Sequence, residues 1–164
     1  MKSLKTALLL LSLLLLFSCT SSTSNYAYNE KVTSVFLSQM RQIDEADSAF
    51  KDTSKVYSKG LTDSIFLSIK ADNLVNNSKM ELAEIADLNP GKEAKKFNDE
   101  VVAYLKAITD YGETAQQMLN SKTVDERKKL HEQLMLKYEK LNTYPDKVLE
   151  IQKTYLNEVG LQPK

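Results

Sequence analysis

Apolar residues follow two patterns along this chain. From Ala7 to Phe17 they run almost without a break, behind a start that reads Met1-Lys2-Ser3-Leu4-Lys5. Further on they recur at steps of three and four, the spacing that lays one apolar stripe along a helix. Val32, Phe36, Gln39 or Met40, Ile43, Ala46 and Phe50 predict a first helix over about residues 28–51. A polar stretch punctuated by Gly60 follows, with Tyr57 packed under the loop. A second helix over about residues 62–88 has two candidate stripes. Leu61, Ile65, Ile69 and Val75 make one; Leu67, Ala71, Leu74, Leu82, Ile85 and Leu88 make another, rotated around the axis. Asn73, Asn76, Asn77 and Ser78 interrupt its middle, as a solvated face or as a polar kink that serves a partner. Asn89-Pro90-Gly91 ends it, since Pro has no amide donor and Gly eases the turn.

The third helix, over about residues 92–120, carries the most regular seam: Ala94, Phe97, Val101, Tyr104, Ile108, Tyr111, Ala115 and Met118. Its steps fit a bundle with crossing angles near 20°. Gly112 lies inside it and costs about 1 kcal/mol against Ala, which a close helix approach would justify. In the fourth, Thr123-Val124-Asp125-Glu126 fits a capping box, in which Thr and Glu side chains reciprocally satisfy free amides. Val124, Leu130, Leu134, Tyr138, Leu141, Val148, Ile151, Tyr155 and Val159 form its stripe. Pro145 predicts a kink or break near residues 142–144, and Gly160 closes the helix. The fold class expected is all-α: an up-down-up-down antiparallel four-helix bundle over residues 27–162.

The apolar run after the basic start has the form of a secretory signal peptide, too short for the roughly 20 apolar residues of a membrane span. Leu16-Phe17-Ser18-Cys19 resembles the lipobox of bacterial lipoproteins. That resemblance implies removal of residues 1–18, diacylglycerol on the Cys19 sulfur and a membrane as partner. Residues 19–26 then form the lipidated Cys and a flexible Thr/Ser-rich tether. Cys19 is the single cysteine, so no intrachain disulfide can form.

Composition narrows the function. The chain has no Trp, four Gly and three Pro, which suits long helices better than a turn-rich β fold. Basic and acidic residues balance at 22 each, and losing Lys2 and Lys5 leaves a slightly acidic mature chain. No basic face suggests nucleic-acid binding. His131, the single histidine, lies in His-Glu-Gln-Leu-Met without the second His of the zinc-protease signature, and reads as a solvated helical residue. No Glu-x-x-His pair supports a di-iron bundle, and no Ser-His-Asp set is assembled. We therefore expect no enzyme, no cofactor and no metal.

Three weaker features remain. Tyr104, Tyr111, Tyr138 and Tyr155 fall on apolar stripes, as core packing or as the lining of a ligand cleft. Asp125 and Lys129 are spaced for a helix-supporting pair. Asp47-Ser48-Ala49 and Asp63-Ser64-Ile65 resemble the O-glycosylation sequon of Bacteroidetes, which makes Ser48 and Ser64 candidate acceptors. Tyr26, Tyr28, the Leu88-Asn89-Pro90-Gly91-Lys92-Glu93-Ala94 junction and Val101-Val102-Ala103-Tyr104-Leu105 make residues 26–160 similar to helical lipoproteins of Bacteroidetes and Leptospira, the leptospiral-surface-protein-like group. The likeness implies a helical lipoprotein and carries no activity with it.

The expected role is a non-enzymatic binding or scaffold module with an envelope protein as partner. It would be lipid-anchored, on the periplasmic side of the outer membrane. The alternatives are a surface-exposed adhesin-like protein and a small-ligand carrier or enzyme with a site between the helices.

Overall fold

The computed structural model of the protein describes residues 23–58 and 60–161. Helix α1 spans Asn25–Lys51 and α2 is the single turn Thr53–Val56; α3 spans Leu61–Ala86. A 3₁₀ turn at Lys92–Ala94 leads into α4, Lys95–Leu119, and α5 (Val124–Leu141) and α6 (Tyr144–Glu158) complete the chain. The fold is an all-helical bundle, with no strand among the described residues.

Polar ties across neighbouring helices fix the directions. Lys31 meets Glu84 and Lys70 meets Glu45, so α1 and α3 are antiparallel. Lys79 with Glu113 and Gln116 with Asp72 set α4 against α3. Lys147 with Glu100 and Lys137 with Asp110 set α5–α6 against α4. Gln152 with Asn29 and Tyr138 with Asp44 return α5–α6 to α1. The bundle is thus up-down-up-down, with α5 and α6 together serving as its fourth member. The break falls at Asn142 and Thr143, and Pro145 opens α6 in the first turn, where its missing amide goes unused.

All eight residues of the predicted α4 seam are buried. On the α1 stripe Val32, Phe36, Gln39, Ile43, Ala46 and Phe50 are buried, and Met40 is half-buried. For the second helix the structure chooses the rotated stripe: Leu67, Ala71, Leu74 and Ile85 are buried and Leu82 and Leu88 half-buried, whereas Leu61, Ile65 and Ile69 of the other stripe face outward and only its Val75 is buried. Gly112 lies where α4 meets α3; a Cβ there would come within 2.8 Å of Val75 Cγ2 and 3.3 Å of the Ala71 carbonyl oxygen.

Three aromatic layers cross the core, each with one ring from α1, one from α4 and one from the fourth member. Tyr28, Phe97 and Tyr155 form the first, with Phe97 and Tyr155 stacked at 5.7 Å. Phe36, Tyr104 and Tyr144 form the middle layer, at 5.1 and 5.4 Å between successive rings. Phe50, Tyr111 and Tyr138 form the far layer. Such edge and offset contacts contribute about 0.5–1.5 kcal/mol each beyond burial.

Local signals account for the ends. Ser24 Oγ accepts from the Ala27 amide at 3.2 Å and starts α1 at Asn25, so Asn25 and Tyr26 belong to the helix and not to the expected tether. Thr123 Oγ1 accepts from the Glu126 amide at 3.1 Å, as the capping box predicts, but the Glu126 carboxylate accepts from the Lys122 amide instead of that of Thr123. Val124, placed on the stripe by spacing, is exposed because it stands in the first turn, above the packed region. The structure shows no ion pair between Asp125 and Lys129.

Candidate functional site

The proline break builds a niche beside the middle aromatic layer. Pro145 has no N–H, so the Leu141 carbonyl loses its usual i+4 donor. There α1, α4 and the α5–α6 junction border a cavity of about 120 Å³ that is open to solvent on the Asp44 side. Ile43, Leu141 and Pro145 supply apolar wall, Asp44 and Asn142 supply polar groups, and Tyr104 closes it from the core. Asp44 accepts from the Tyr138 hydroxyl at 3.1 Å, and no Lys or Arg of the described residues pairs with it. Tyr104 is buried and its hydroxyl finds no hydrogen-bond partner among the described residues. Burial is the main cause that pushes this phenol above its ordinary value, and the nearby Asp44 charge adds to it.

One turn further along α1 lies Asp47, only 3% exposed. Its carboxylate meets the Lys51 ammonium at 2.6 Å, and the same ammonium lies 4.4 Å from the centre of the Tyr138 ring. Burial raises the Asp47 carboxyl above the ordinary carboxylate value, against the lowering pull of Lys51. Lys51 is raised in turn, first by its hydrogen bond to Asp47. The second Asp47 oxygen and the Tyr111 hydroxyl are buried without a partner. Nearer the other end of α1, the wholly buried Gln39 faces Glu81, and its amide and one Glu81 oxygen approach each other without reaching good hydrogen-bond geometry.

A second, wider cavity of about 270 Å³ opens between α4 and α6 at the end where α1 begins. Phe97, Ile151 and Tyr155 form its floor, with Lys96, Lys147 and Glu150 around it. The Tyr155 hydroxyl donates to the Asn25 carbonyl at 3.0 Å, which ties this end shut.

The four stripe tyrosines do not converge on one cleft. Tyr104 lines the niche and Tyr155 the wider cavity, while Tyr111 and Tyr138 belong to the far aromatic layer. Ser48 and Ser64 are both exposed, on α1 and in the first turn of α3. Cys19 lies outside the described residues. His131 is not the solvated residue that its neighbours suggested. Its Nε2 lies 2.8 Å from the Phe50 carbonyl and so donates, and its Nδ1 accepts from the Tyr57 hydroxyl at 3.3 Å. It thus joins α5 to the end of α1 and to the loop after α2. Asn73 and Asn76 form a solvated face, whereas Asn77 donates to Gln42 at 2.6 Å and Ser78 is buried, 2.7 Å from the Thr109 hydroxyl.

Asp44 and Lys51 were not singled out from the sequence, and Asp47 only as the first residue of a sequon. A signal existed for Asp47: it follows Ile43 by four and precedes Phe50 by three, on the buried register, with Lys51 one turn later. Nothing local marks Asp44, whose role depends on the helix break far away in sequence. Among the described residues no three His, Cys, Asp or Glu side chains gather to hold a metal ion, and no helix is long and apolar enough to cross a membrane. No family model, no curated protein and no solved structure matches the chain.

Proposed function

We propose that this chain is a lipid-anchored cell-envelope protein whose helical bundle acts as a non-enzymatic binding or scaffold module. The reading is carried by Leu16-Phe17-Ser18-Cys19 at the end of an apolar run with a basic start. Its fit to the domain supports it: Ser24, the α1 N-cap, follows Cys19 by five residues, so the bundle would stand close to the bilayer. Two acyl chains hold firmly where one holds marginally, at about 0.8 kcal/mol per buried methylene. The anchored face would be the periplasmic side of the outer membrane, with an envelope protein as partner. A mass spectrum of the processed protein tests the anchor: a diacylglyceryl mass on an N-terminal Cys19 is expected, and a bare thiol overturns the proposal. Cys19→Ala should leave the helical signal intact and release the domain from membranes.

The small-ligand reading draws on a different observation, the niche at the helix break with its unpaired Tyr104 hydroxyl. Protease treatment of intact cells separates the adhesin-like alternative, which requires a domain that protease can reach from outside.

A further inference from the structure

We infer that the niche at the α5–α6 break binds a short free primary amine in its ammonium form. This goes beyond the anchor and does not depend on it. Three features specify the class of ligand. First, the niche sets an exposed carboxylate, Asp44, beside one buried tyrosine, Tyr104, and a carboxylate with an aromatic neighbour is a surrounding that favours an alkylammonium. Second, the chain displays this chemistry one turn away, where its own Lys51 ammonium sits 2.6 Å from Asp47 and 4.4 Å from the Tyr138 ring centre. At Asp44 the matching carboxylate has the Tyr138 hydroxyl but no ion pair among the described residues, the Lys51 charge reaching it only from a distance. Third, the Tyr104 hydroxyl, which has no hydrogen-bond partner among the described residues, offers a further acceptor for an ammonium proton.

Size and wall chemistry limit the rest of the ligand. A cavity of about 120 Å³ holds only a few heavy atoms beyond the ammonium. Ile43, Leu141 and Pro145 favour a short alkyl chain over a polar one. A carboxylate ligand would meet Asp44 as a like charge, and a neutral isostere would leave Asp44 without its counter-ion.

The test uses the full chain purified in detergent micelles and titrated with n-propylammonium, n-propanol and propionate, read by backbone amide NMR shifts. Saturable shifts confined to residues 40–44, 104 and 141–144 are expected with propylammonium alone. Asp44→Asn should weaken that binding by about ten-fold or more, the scale of one charge-assisted hydrogen bond. Asp44 is exposed, so this variant should keep the wild-type circular dichroism and melting temperature. Tyr104→Phe, which keeps the ring, should weaken binding less than Asp44→Asn. Equal responses to all three compounds, shifts that never saturate, or an Asp44→Asn variant that binds as well as wild type would each overturn the inference. Nα-acetyl-lysinamide carries the same ammonium on a peptide-like body. Binding about ten-fold tighter than propylammonium would reject a free amine in favour of a protein lysine.

Discussion

Gly112 packs against Val75 so closely that a methyl group on it would lie 2.8 Å from the Val75 Cγ2. The Leu74 Cβ would be 3.2 Å away and the Ala71 carbonyl 3.3 Å, and a backbone oxygen cannot swing aside as a side-chain tip can. On an open helix Gly→Ala gains about 1 kcal/mol. Here overpacking at a buried contact, about 1–3 kcal/mol, should win. Gly112→Ala is expected to lower stability in urea unfolding, and shortening Val75 to Ala in the same chain should restore part of the loss. A Gly112→Ala protein more stable than wild type would mean that α3 and α4 stand further apart.

Asp47 and Glu81 give the pH dependence an unusual sign. Burial is the leading cause that raises both carboxyls above their ordinary values, despite Lys51 at the first and Gln39 at the second. A folded-state pKa above the unfolded one means that the folded state holds its proton longer. The stability these two groups contribute is therefore full below the ordinary carboxylate range and is lost as pH rises through their folded values. Asp47→Asn removes the buried charge and leaves Lys51, which is 55% exposed and stays solvated. Thermal melts from pH 3 to pH 8 should show the variant at least as stable as wild type at neutral pH, with the difference shrinking towards acid. A variant that melts well below wild type at pH 7 would show that the ion pair outweighs desolvation.

The sequence made α4 legible because one stripe held most of its large apolar residues and no second register competed, although the fully buried Leu105 lies beside that stripe. The α3 segment was ambiguous for the opposite reason: Leu61, Ile65 and Ile69 are as apolar as Leu67 and Leu74, and periodicity cannot say which face meets neighbours that lie far along the chain. The helix break was legible at Pro145, since a missing donor is a local fact. The niche beside it was not. It needs Asp44 from α1, Tyr104 from α4 and the broken end of α5 brought together, and no spacing within one helix reports that. His131 was misread similarly: its partners, the Phe50 carbonyl and Tyr57, are 81 and 74 residues away.

Alkaline titration probes the aromatic layers. Burial first, then neighbouring groups that titrate, push Tyr28, Tyr104 and Tyr111 well above the ordinary phenol value of 10.0. Raised folded-state values mean that the stability from these phenols is complete below the ordinary value and lost as pH climbs through the folded ones. Phenolate absorbance should therefore develop in two stages, the later one coincident with loss of helical circular dichroism. All eight tyrosines of the chain titrating together near 10, with the helices intact, would contradict the buried layers.

The register of α3 is the last point open to direct test, and two substitutions two residues apart decide it. Leu67 is wholly buried, whereas Ile69 is 52% exposed. Truncation of a buried Leu removes its transfer free energy and leaves a cavity that the neighbours fill only in part, about 2–5 kcal/mol in all. An exposed position away from special contacts shifts stability by about 0.5 kcal/mol or less. Leu67→Ala should therefore lower the urea midpoint strongly and Ile69→Ala hardly at all. Ile65→Lys, at another exposed position, should fold normally. If Ile69→Ala and Ile65→Lys were the damaging pair, α3 would present Leu61, Ile65 and Ile69 to the core in place of Leu67, Ala71 and Leu74.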